Sequence, residues 1–385
     1  MVRIAPFAVE QWMDEYETTP GALNVAETCA ASVSIDDLVG MCKDPKAQGP
    51  IDTRLKLTYG PIPGSNALRE RIAAQCSTED TKLAAKDIVV TQGAIGANFL
   101  ALYSLVGPND HVVCVYPTYQ QLYEVPRSIG AEVSLWKLKE EESFVPNVDG
   151  LINLIRKNTK VKIFKCELGR IAQIAKEKGI ILFSDEVYRP LFHGGASGQI
   201  DIPKPATSFG YERTITTGSM SKGYALAGIR VGWIVSKDKC IISAIMAARD
   251  YTTISVSQID DQVARYALSP AVLPSLVDRN LTLARNNAKL VKEFIGRYKA
   301  VCSWVEPTAG TTAFVRFIKN GQPINDVDFC LDLLSKNNVL FVAGSKCFGK
   351  DEDFKGYIRM GYVCETHVLV EGLKRLGAYI DANLL

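Results

Sequence analysis

One lysine, Lys222, lies in the segment GSMSKGYALAGIRVGWIV (218–235), where small and hydroxylated residues surround it. Lysine becomes a nucleophile toward carbonyl groups when burial or nearby cations lower the pKa of its amine. The hydroxyls of Ser219 and Ser221 could hold a phosphate or orient the amine, and Arg230 could add a second positive charge. The alternative is a surface loop with a solvated lysine. This segment is the first candidate for covalent chemistry.

Two more groups could take part in such chemistry. Asp185, in LFSDEVY, is a carboxylate that could hold a cationic ring nitrogen, or could simply cap the next turn. Gly93 and Ala94, in TQGAIGAN, form a glycine turn that opens a helix. The free N–H groups and positive dipole end of such a turn favour a phosphate, although a plain strand-to-helix turn is the alternative.

Short apolar runs alternate with helical patterns and must position these residues. The runs predicted as strands are KDIVVT (86–91), HVVCVYP (111–117), AEVSLWKL (131–138), VKIF (161–164), IILFSDEVY (180–188), TITTG (214–218) and RVGWIVS (230–236). Their alternation with helices indicates βαβ units, and their continuous hydrophobicity suits a mainly parallel sheet buried on both faces. The candidate residues follow strand ends, where open α/β sheets display functional groups.

The helix patterns complete this picture. After the first strand, Ile95, Phe99, Leu102 and Val106 recur at helical spacing. A long helical stretch near 270–300 leads to a C-terminal portion that ends in an amphipathic helix, and Ser34 with Asp37 resembles a capping box. We predict an N-terminal segment (1–45) that contributes to a small domain, a large domain (46–280) and a C-terminal small domain (281–385).

Composition narrows the class of partner. The chain of 385 residues has 44 Lys plus Arg against 42 Asp plus Glu, so its net charge of +2 gives no reason to expect nucleic acid or a membrane. Ten cysteines include no C-x-x-C pair, and three histidines lack ligand spacing. We therefore expect reduced thiols in a cytoplasmic protein, no zinc site, and no signal sequence or membrane span.

The segment SMSKGYALAGIRVG resembles the pyridoxal-phosphate attachment signature of class I and II aminotransferases. A small residue stands three positions before the lysine, and an arginine eight positions after it is followed by an apolar residue and glycine. Five further segments resemble the family's motifs in the family's order: LTYGPIPGSNALRERIA, TQGAIGANFLAL, YPTYQQLYEVPRSIGAEV, SDEVYRPLF and YIRMGYV. The resemblance implies the fold-type I architecture, with a mostly parallel seven-stranded sheet in a large α/β domain and a small α+β domain.

The resemblance also implies roles around the cofactor. Lys222 would form a Schiff base with pyridoxal phosphate and later move the substrate's α-proton. Asp185 would pair with the protonated ring nitrogen, Tyr188 would contact the phenolic oxygen, and Tyr119 would stack on the ring unless it is simply a core aromatic. The phosphate would be held by a set of backbone and side-chain groups from Gly93, Ala94, Ile95, Ser219, Ser221 and Arg230.

Other roles concern the substrate and a second subunit. Arg359 would bind the substrate's α-carboxylate, with an exposed ion pair as the alternative. Glu27 and Thr28, in NVAETCAAS, are assigned to substrate binding. Tyr59 would reach the phosphate of a neighbouring subunit, which implies a homodimer with shared active sites, although packing within its own subunit is the alternative.

The sequence departs from the family after VKIF. The family carries an Asn-Pro-Thr-Gly turn there, whose asparagine contacts the cofactor's phenolic oxygen, and VKIFKCELGRIAQ has no counterpart. Either the turn is deleted, or residues of a mobile loop are absent from the sequence as given; the short connection and the missing helix cap favour the second explanation.

The function that these residues predict is a pyridoxal-phosphate-dependent aminotransferase that acts on an L-amino acid and a keto acid through Lys222. The segments IAPFAVEQWMDEYE and NVAETCAAS are similar to a branch that includes capreomycidine-synthase-like enzymes. A cyclase, lyase or oxidase that uses the same cofactor is therefore the alternative, because fold and cofactor do not decide the fate of the substrate. A catalytically silent protein that binds the cofactor is a third hypothesis, of a different class.

Overall fold

The computed structural model describes residues 4–163, 168–200, 202–350 and 353–385. The chain forms two compact units. The first unit comprises Met1–Ala5, Ser32–Arg189 and Ile202–Val277. The second unit comprises Pro6–Ala31, Pro190–Asp201 and Asp278–Leu385. The Asn-Pro-Thr-Gly question concerns residues 164–167, which lie outside the described residues.

The described residues contain thirteen α-helices and fourteen strands. The helices are α1 (Ala8–Tyr16), α2 (Ile35–Gly40), α3 (Asn66–Cys76), α4 (Gly93–Leu105), α5 (Gln121–Ser128), α6 (Val148–Leu154), α7 (Leu168–Lys178), α8 (Lys239–Arg249), α9 (Gln258–Ala267), α10 (Leu273–Arg297), α11 (Asp326–Asn337), α12 (Gly344–Phe348) and α13 (Thr366–Asn383). The strands are β1 (Leu23–Asn24), β2 (Ile88–Gln92), β3 (His111–Tyr116), β4 (Glu132–Lys137), β5 (Thr159–Ile163), β6 (Ile181–Asp185), β7 (Thr214–Ser219), β8 (Val231–Val235), β9 (Cys302–Trp304), β10 (Thr312–Lys319), β11 (Gln322–Pro323), β12 (Val339–Leu340), β13 (Val342–Ala343) and β14 (Tyr357–Gly361).

A seven-stranded sheet in the order β2-β8-β7-β6-β5-β3-β4 forms the centre of the first unit. The pairs β7–β6, β6–β5, β5–β3 and β3–β4 are parallel, and only β8 runs against its two neighbours. The prediction of a mostly parallel seven-stranded sheet is confirmed. The ends of each predicted strand of this region lie within three residues of the observed ends, because long apolar runs bounded by turn residues leave few alternatives.

Helices cover both faces of this sheet. Successive residues of β2 belong to different cores: Val90 packs with Leu68 and Ile72 of α3, while Val89 packs with Ala97 and other α4 residues. The same alternation divides β8, whose Trp233 joins the α3 side and whose Ile234 joins the α4 side. Burial on both faces explains why these strands are continuously apolar.

Helix α4 exists as predicted, and two of the four residues that recur at helical spacing are buried. Leu102 and Val106 are buried, whereas Ile95 and Phe99 are exposed. The Phe99 ring stacks on Tyr103 with centroids 5.7 Å apart. The buried residues of the helix are Gly93, Ala97, Asn98, Leu100, Ala101 and Leu102.

The second unit contains a five-stranded antiparallel sheet in which β11, β10, β14 and β13 follow one another and β9 pairs with β10. Strand β1, from the N-terminal part of the chain, pairs with β12. Helix α13 buries Leu369, Leu373, Leu376 and Ile380, as its periodicity predicts. Among the described helices, none combines the length and the apolar character needed to cross a bilayer.

The unit boundaries differ from the predicted domains, most of all in residues 32–45 and 190–201. The sequence predicts residues 32–45 as part of the small domain, but Leu38 of α2 packs in the first unit's core with Leu68. The predicted capping box of α2 is present, since the backbone N–H groups of Ser34 and Asp37 each donate to the other's side chain. Residues 190–201 belong to the second unit, where buried His193 contacts Tyr362.

Candidate active site

One edge of the central sheet carries most of the predicted site. Strands β2, β6 and β7 run in the same direction, so their carboxyl ends lead to Gly93, to Asp185 and to the Lys222 turn at that edge. Because β8 runs the opposite way, it begins at this edge, directly after Arg230. The sheet therefore gathers an amine, a carboxylate, a guanidinium and a helix N-terminus from separate parts of the chain.

The Lys222 turn is held by its own backbone. Met220 donates its N–H to Val231 O at 2.9 Å, and Leu226 donates to Met220 O at 3.0 Å, so the turn is pinned to the start of β8. Ser219 and Ser221 are buried, and the Ser221 N–H donates to Ser219 Oγ at 3.2 Å. Lys222 itself is half-buried.

The start of α4 forms a close-packed cradle with Arg230. Gly93 has φ +71°, and a Cβ there would lie 2.9 Å from Nη2 of Arg230. A Cβ on Gly232 would overlap the backbone of Gly93 and Ala94. Arg230 has φ +50°, an unusual value for a non-glycine residue, and its Nη1 donates to Ala227 O at 2.8 Å. The glycines thus allow the guanidinium to lie against the helix N-terminus.

Two buried polar residues that the sequence did not reveal support Asp185. Asn98 of α4 donates from Nδ2 to Asp185 Oδ2 at 2.9 Å, and Thr217 of β7 donates from Oγ1 to Asn98 Oδ1 at 2.7 Å. The Val187 N–H donates to Asp185 Oδ1 at 3.1 Å, so the carboxylate also caps its turn, as the alternative interpretation proposed. An asparagine in an otherwise apolar helix face was the available signal for this contact.

The turn that bears Tyr188 is fixed by an ion pair. Glu186 Oε2 accepts from Arg189 Nε at 2.9 Å, and Glu186 Oε1 accepts from the Ala206 N–H at 2.7 Å. Burial raises the pKa of Glu186, and Arg189 counteracts this. Tyr188 lies between Glu186 and Arg189 in the sequence and is half-buried.

Tyr119 follows β3 on the same edge. It is half-buried and packs against the core that includes α4. Gln121, another residue that the sequence did not single out, donates from Nε2 to Ile95 O at 2.7 Å. This bond joins the Tyr119 segment to the first turn of α4, and the Ile95 side chain itself points to solvent. Tyr59 is highly exposed, at 79%.

The remaining predicted residues lie together in the second unit. Arg359 of β14 stands opposite Phe314 and Val342 in the sheet, and its Nη2 donates to Ala26 O at 2.8 Å. Glu27 Oε1 accepts from the backbone N–H groups of Thr28, at 2.6 Å, and Cys29, at 3.1 Å. The structure thus brings Arg359 next to the 26–28 segment and uses Glu27 to hold that turn.

The α/β architecture and the edge that holds Lys222 define a class of protein, the fold-type I pyridoxal-phosphate-dependent transferases. The profile of the family "Aminotransferase class I and II" matches residues 46–376, and the chain belongs to that family. A pyridoxal-phosphate-dependent aminotransferase from Streptococcus suis 89-1591 is 32% identical and superposes with a TM-score of 0.86, over 98% of each chain.

Curated relatives agree with this assignment. Capreomycidine synthase from Streptomyces vinaceus is 29% identical over 347 residues, which cover 86% of this chain and 82% of that protein. Aspartate aminotransferase from Sulfurisphaera tokodaii is 26% identical over 342 residues, which cover 83% and 81%. The chain is an enzyme of the aminotransferase family, and the family's dependence on pyridoxal phosphate predicts the cofactor.

Proposed function

We propose that this enzyme binds pyridoxal 5'-phosphate through Lys222 and transfers the amino group of an L-amino acid to a keto acid. The observation that carries the proposal is the meeting of Lys222, Asp185 and the Gly93–Arg230 cradle at one sheet edge. A half-buried amine, an anchored carboxylate and an anion cradle match the aldehyde, ring nitrogen and phosphate of the cofactor.

The chain's residues fit the cofactor in specific ways. Free N–H groups at the start of α4, together with Arg230, suit a phosphate dianion. Asp185 presents a carboxylate whose two oxygens are already fixed by N–H donors, and such a carboxylate suits a protonated ring nitrogen. Ser219 and Ser221 border the same turn, and Tyr188 would donate to the phenolic oxygen.

Bound pyridoxal phosphate supplies an aldehyde that condenses with amines and a protonated ring that accepts electron density from the substrate's Cα. Lys222 Nζ would be the attachment point and would move the proton at that carbon. Tyr119 would limit the movement of the ring from one side. Arg359 would bind the substrate's α-carboxylate, and the Glu27–Thr28 turn would border it.

The substitution Lys222→Ala tests this function. We expect loss of the visible absorbance of the lysine-bound cofactor and loss of keto-acid production, because the variant lacks the amine. Lys222→Arg keeps the charge but not the nucleophile and should fail in the same way. Lys237→Ala removes an exposed lysine of the same unit and should behave like the wild type. Retained turnover in Lys222→Ala would refute the proposal.

A second candidate function follows from the similarity to capreomycidine synthase. An enzyme with the same cofactor site could instead cyclise, eliminate or oxidise its amino acid. Incubation of the holoenzyme with each L-amino acid and a keto-acid acceptor distinguishes them. Keto acid with a newly aminated acceptor supports transamination, whereas ammonia, peroxide or a cyclised product without acceptor turnover supports the second candidate.

We also propose that the enzyme is a homodimer in which Tyr59 contacts the partner's phosphate site. Exposed apolar side chains cluster in two segments, which we call the 55–62/251–259 face: Leu55, Leu57, Tyr59, Ile62, Tyr251, Ile254 and Ile259. Gln258 Nε2 donates to Thr58 O, so the two segments adjoin. Monomers rarely expose apolar surface of this kind. The cytoplasmic location stays a prediction.

Hydrogen bonds of Arg249 hold the first residues of the 251–259 segment. Buried Arg249 donates from Nε to Ile254 O at 2.8 Å and from Nη1 to Val90 O, which ties the loop to β2. The Ile254 N–H donates back to Arg249 O at 3.2 Å. Tyr251, between these two hydrogen-bonded residues, is 93% exposed. A hydrogen-bonded loop that displays a tyrosine suits a protein contact, since it has less conformational entropy to lose on association.

A further inference from the structure

Asn98 and Thr217 form a buried polar pair inside the first unit, and each is only 1% exposed. A buried amide or hydroxyl destabilises a protein unless it is hydrogen-bonded. Asn98 also occupies the face of α4 that otherwise buries alanine and leucine. Such a residue requires an explanation other than packing.

The directions of the two hydrogen bonds are determined by chemistry. The Thr217 hydroxyl donates to Asn98 Oδ1 at 2.7 Å, and Asn98 Nδ2 donates to Asp185 Oδ2 at 2.9 Å. If the amide were flipped, its oxygen would face a carboxylate oxygen, and two acceptors would repel each other. The Asp185 carboxylate, which can only accept, therefore selects the orientation in which Asn98 offers an N–H to it, and the Thr217 hydroxyl, which donates to Asn98 Oδ1, holds the amide in that orientation.

Strand register brings these groups together. Asp185 and Thr217 are Cα partners in the parallel pair β6–β7. Ile215, two residues before Thr217 on β7, packs in the α4-side core, so Thr217 faces α4 as well. Thr216 faces the opposite side of the sheet. Asn98 thus reaches from α4 onto the position where Asp185 and Thr217 lie side by side.

We propose that Asn98, oriented by Thr217, is the positioning residue that sets the rotamer and the accepting role of Asp185 toward the cofactor's ring nitrogen. One carboxylate oxygen is held by Asn98 and the other by the Val187 N–H. N–H donors on both oxygens hold the carboxylate in one orientation and pair only with its lone pairs. This inference rests on the proposed function, because it assumes that Asp185 faces the cofactor.

The hydrogen bonds from Thr217 to Asn98 and from Asn98 to Asp185 have a direct consequence for the protonation of the ring nitrogen. The nitrogen keeps its proton only if a fixed negative charge stays beside it. A carboxylate free to rotate would share its charge between the ring and other donors. Asn98 and Thr217 are almost completely buried, so they would act on the reaction through Asp185.

Substitutions at Thr217 provide the cleanest test. Thr217→Val is isosteric and removes only the hydroxyl, Thr217→Ser keeps it, and Thr216→Val makes the same change on the opposite face of β7. Each variant is loaded with pyridoxal phosphate labelled with ¹⁵N in the ring, and the ¹⁵N chemical shift reports the protonation of that nitrogen. Cofactor dissociation constants, kcat, KM and melting temperature are measured in parallel.

We expect the ¹⁵N shift of Thr217→Val to move toward the unprotonated value, with kcat lower by about 10- to 100-fold and KM little changed. Thr217→Ser and Thr216→Val should keep the wild-type shift. Asn98→Leu should change the ¹⁵N shift more than Thr217→Val does. If Asn98→Leu is insoluble, the isosteric Thr217→Val decides the test by itself.

A wild-type ¹⁵N shift in Thr217→Val, with or without a lower melting temperature, would overturn the positioning role and leave a structural one. That result is distinct from failure of the proposed function, which would appear as wild-type behaviour of Lys222→Ala. A moved shift in Thr217→Val together with an unchanged shift in Thr216→Val supports the inference.

Discussion

Gly93 and Arg230 depend on each other for their conformations. Gly93 adopts φ +71°, and Arg230 adopts φ +50° although it carries a side chain. A left-handed conformation costs a non-glycine residue about 1 kcal/mol or more. The bond from Arg230 Nη1 to Ala227 O and the close approach of Gly232 to Gly93 hold the arginine there. This local strain places a guanidinium at a helix N-terminus, where both positive charges would act on the proposed phosphate.

Gly93→Ala should weaken cofactor binding. The new Cβ would lie 2.9 Å from Arg230 Nη2 and would require an unfavourable φ, so the guanidinium must move. We expect the dissociation constant for pyridoxal phosphate to rise at least about tenfold, which corresponds to about 1.4 kcal/mol. Fluorescence titration of the apoenzyme measures it.

Gly96→Ala is the matched control in the same helix. The nearest heavy atom to its new Cβ would be Gln92 Cβ at 3.7 Å, an ordinary contact. Alanine favours helix more than glycine by about 1 kcal/mol, so the control should keep cofactor affinity and gain slightly in stability. Equal affinities for the two variants would show that the cradle does not hold the phosphate.

These residues differ in how far the sequence could predict them. Lys222, Ser219 and Arg230 lie within one continuous segment, so their chemistry and spacing could be recognised directly. Asn98, Thr217 and Asp185 meet only because strand order brings distant segments together, since the first two are 119 positions apart. The asparagine in an apolar helix face was a local signal, but its partners could be found only in the structure.

His193 holds the 190–201 segment in the second unit through contacts of both its ring nitrogens. Burial lowers the pKa of His193 to about 4, with Arg285 adding to the effect while Gly310 and Glu306 oppose it. The Gly195 N–H donates to Nδ1 at 3.0 Å, and Nε2 lies 2.7 Å from the Tyr362 hydroxyl. Nδ1 accepts, so the neutral ring carries its proton on Nε2.

Acidification should loosen this element. The folded-state pKa of about 4 is below the ordinary value of 6.5, so the folded state binds fewer protons than the unfolded state between these values. The contribution of His193 is therefore complete above pH 6.5 and falls as the pH drops toward 4. The loss should reach up to about 3 kcal/mol, since protonated Nδ1 would face the Gly195 N–H.

His193→Asn should flatten that pH dependence, because asparagine keeps an acceptor but does not titrate. Urea midpoints at about pH 7 and about pH 4.5 measure the effect. His367→Asn, at an exposed position of α13, should retain the wild-type dependence. A His193→Asn variant that loses as much stability in acid as the wild type would show that other groups control the acid response.

The sequence predicted the positions of the strands and of helix α4 better than it predicted which residues of α4 are buried. The strands of the central sheet and helix α4 follow from hydrophobic runs and periodicity, which are local properties. Of the four residues that recur at helical spacing in and after α4, Leu102 and Val106 are buried, whereas Ile95 and Phe99 are exposed. Side-chain size limits approach, so the most hydrophobic stripe is not always the inner one.

The 55–62/251–259 face carries seven of the exposed large hydrophobic side chains of the described residues, and we propose it as the surface of the dimer. Leu57 is 69% exposed, and Tyr251 is more exposed still. Hydrophobic burial against a second copy would stabilise the assembly by about 25 cal/mol for each Å² removed from water. The sequence implied a dimer only through its resemblance to a family, whereas exposure identifies the surface that would form it.

The double variant Leu57→Glu/Tyr251→Glu should be monomeric. Charges placed at the centre of an apolar interface must lose their hydration on association, which disfavours the dimer. Sedimentation-velocity ultracentrifugation should report half the mass of the wild type. Ile202→Glu alters an equally conspicuous residue, 66% exposed, outside this face and should leave the mass unchanged. A double variant with wild-type mass would place the interface elsewhere.

The antiparallel direction of β8 places two proposed ligand contacts on one short segment of chain. Because the strand runs back along β7, the thirteen residues from Ser219 to Val231 leave the sheet edge and return to it. The proposed covalent anchor and the proposed anion clamp are thus parts of one hairpin-like excursion. If the segment from Ser219 to Val231 opened, both proposed contacts with a ligand would be lost together. A ligand held by either contact would oppose the opening. A ligand that bound both Lys222 and Arg230 would therefore stabilise this segment, and the loss of either contact would weaken the other.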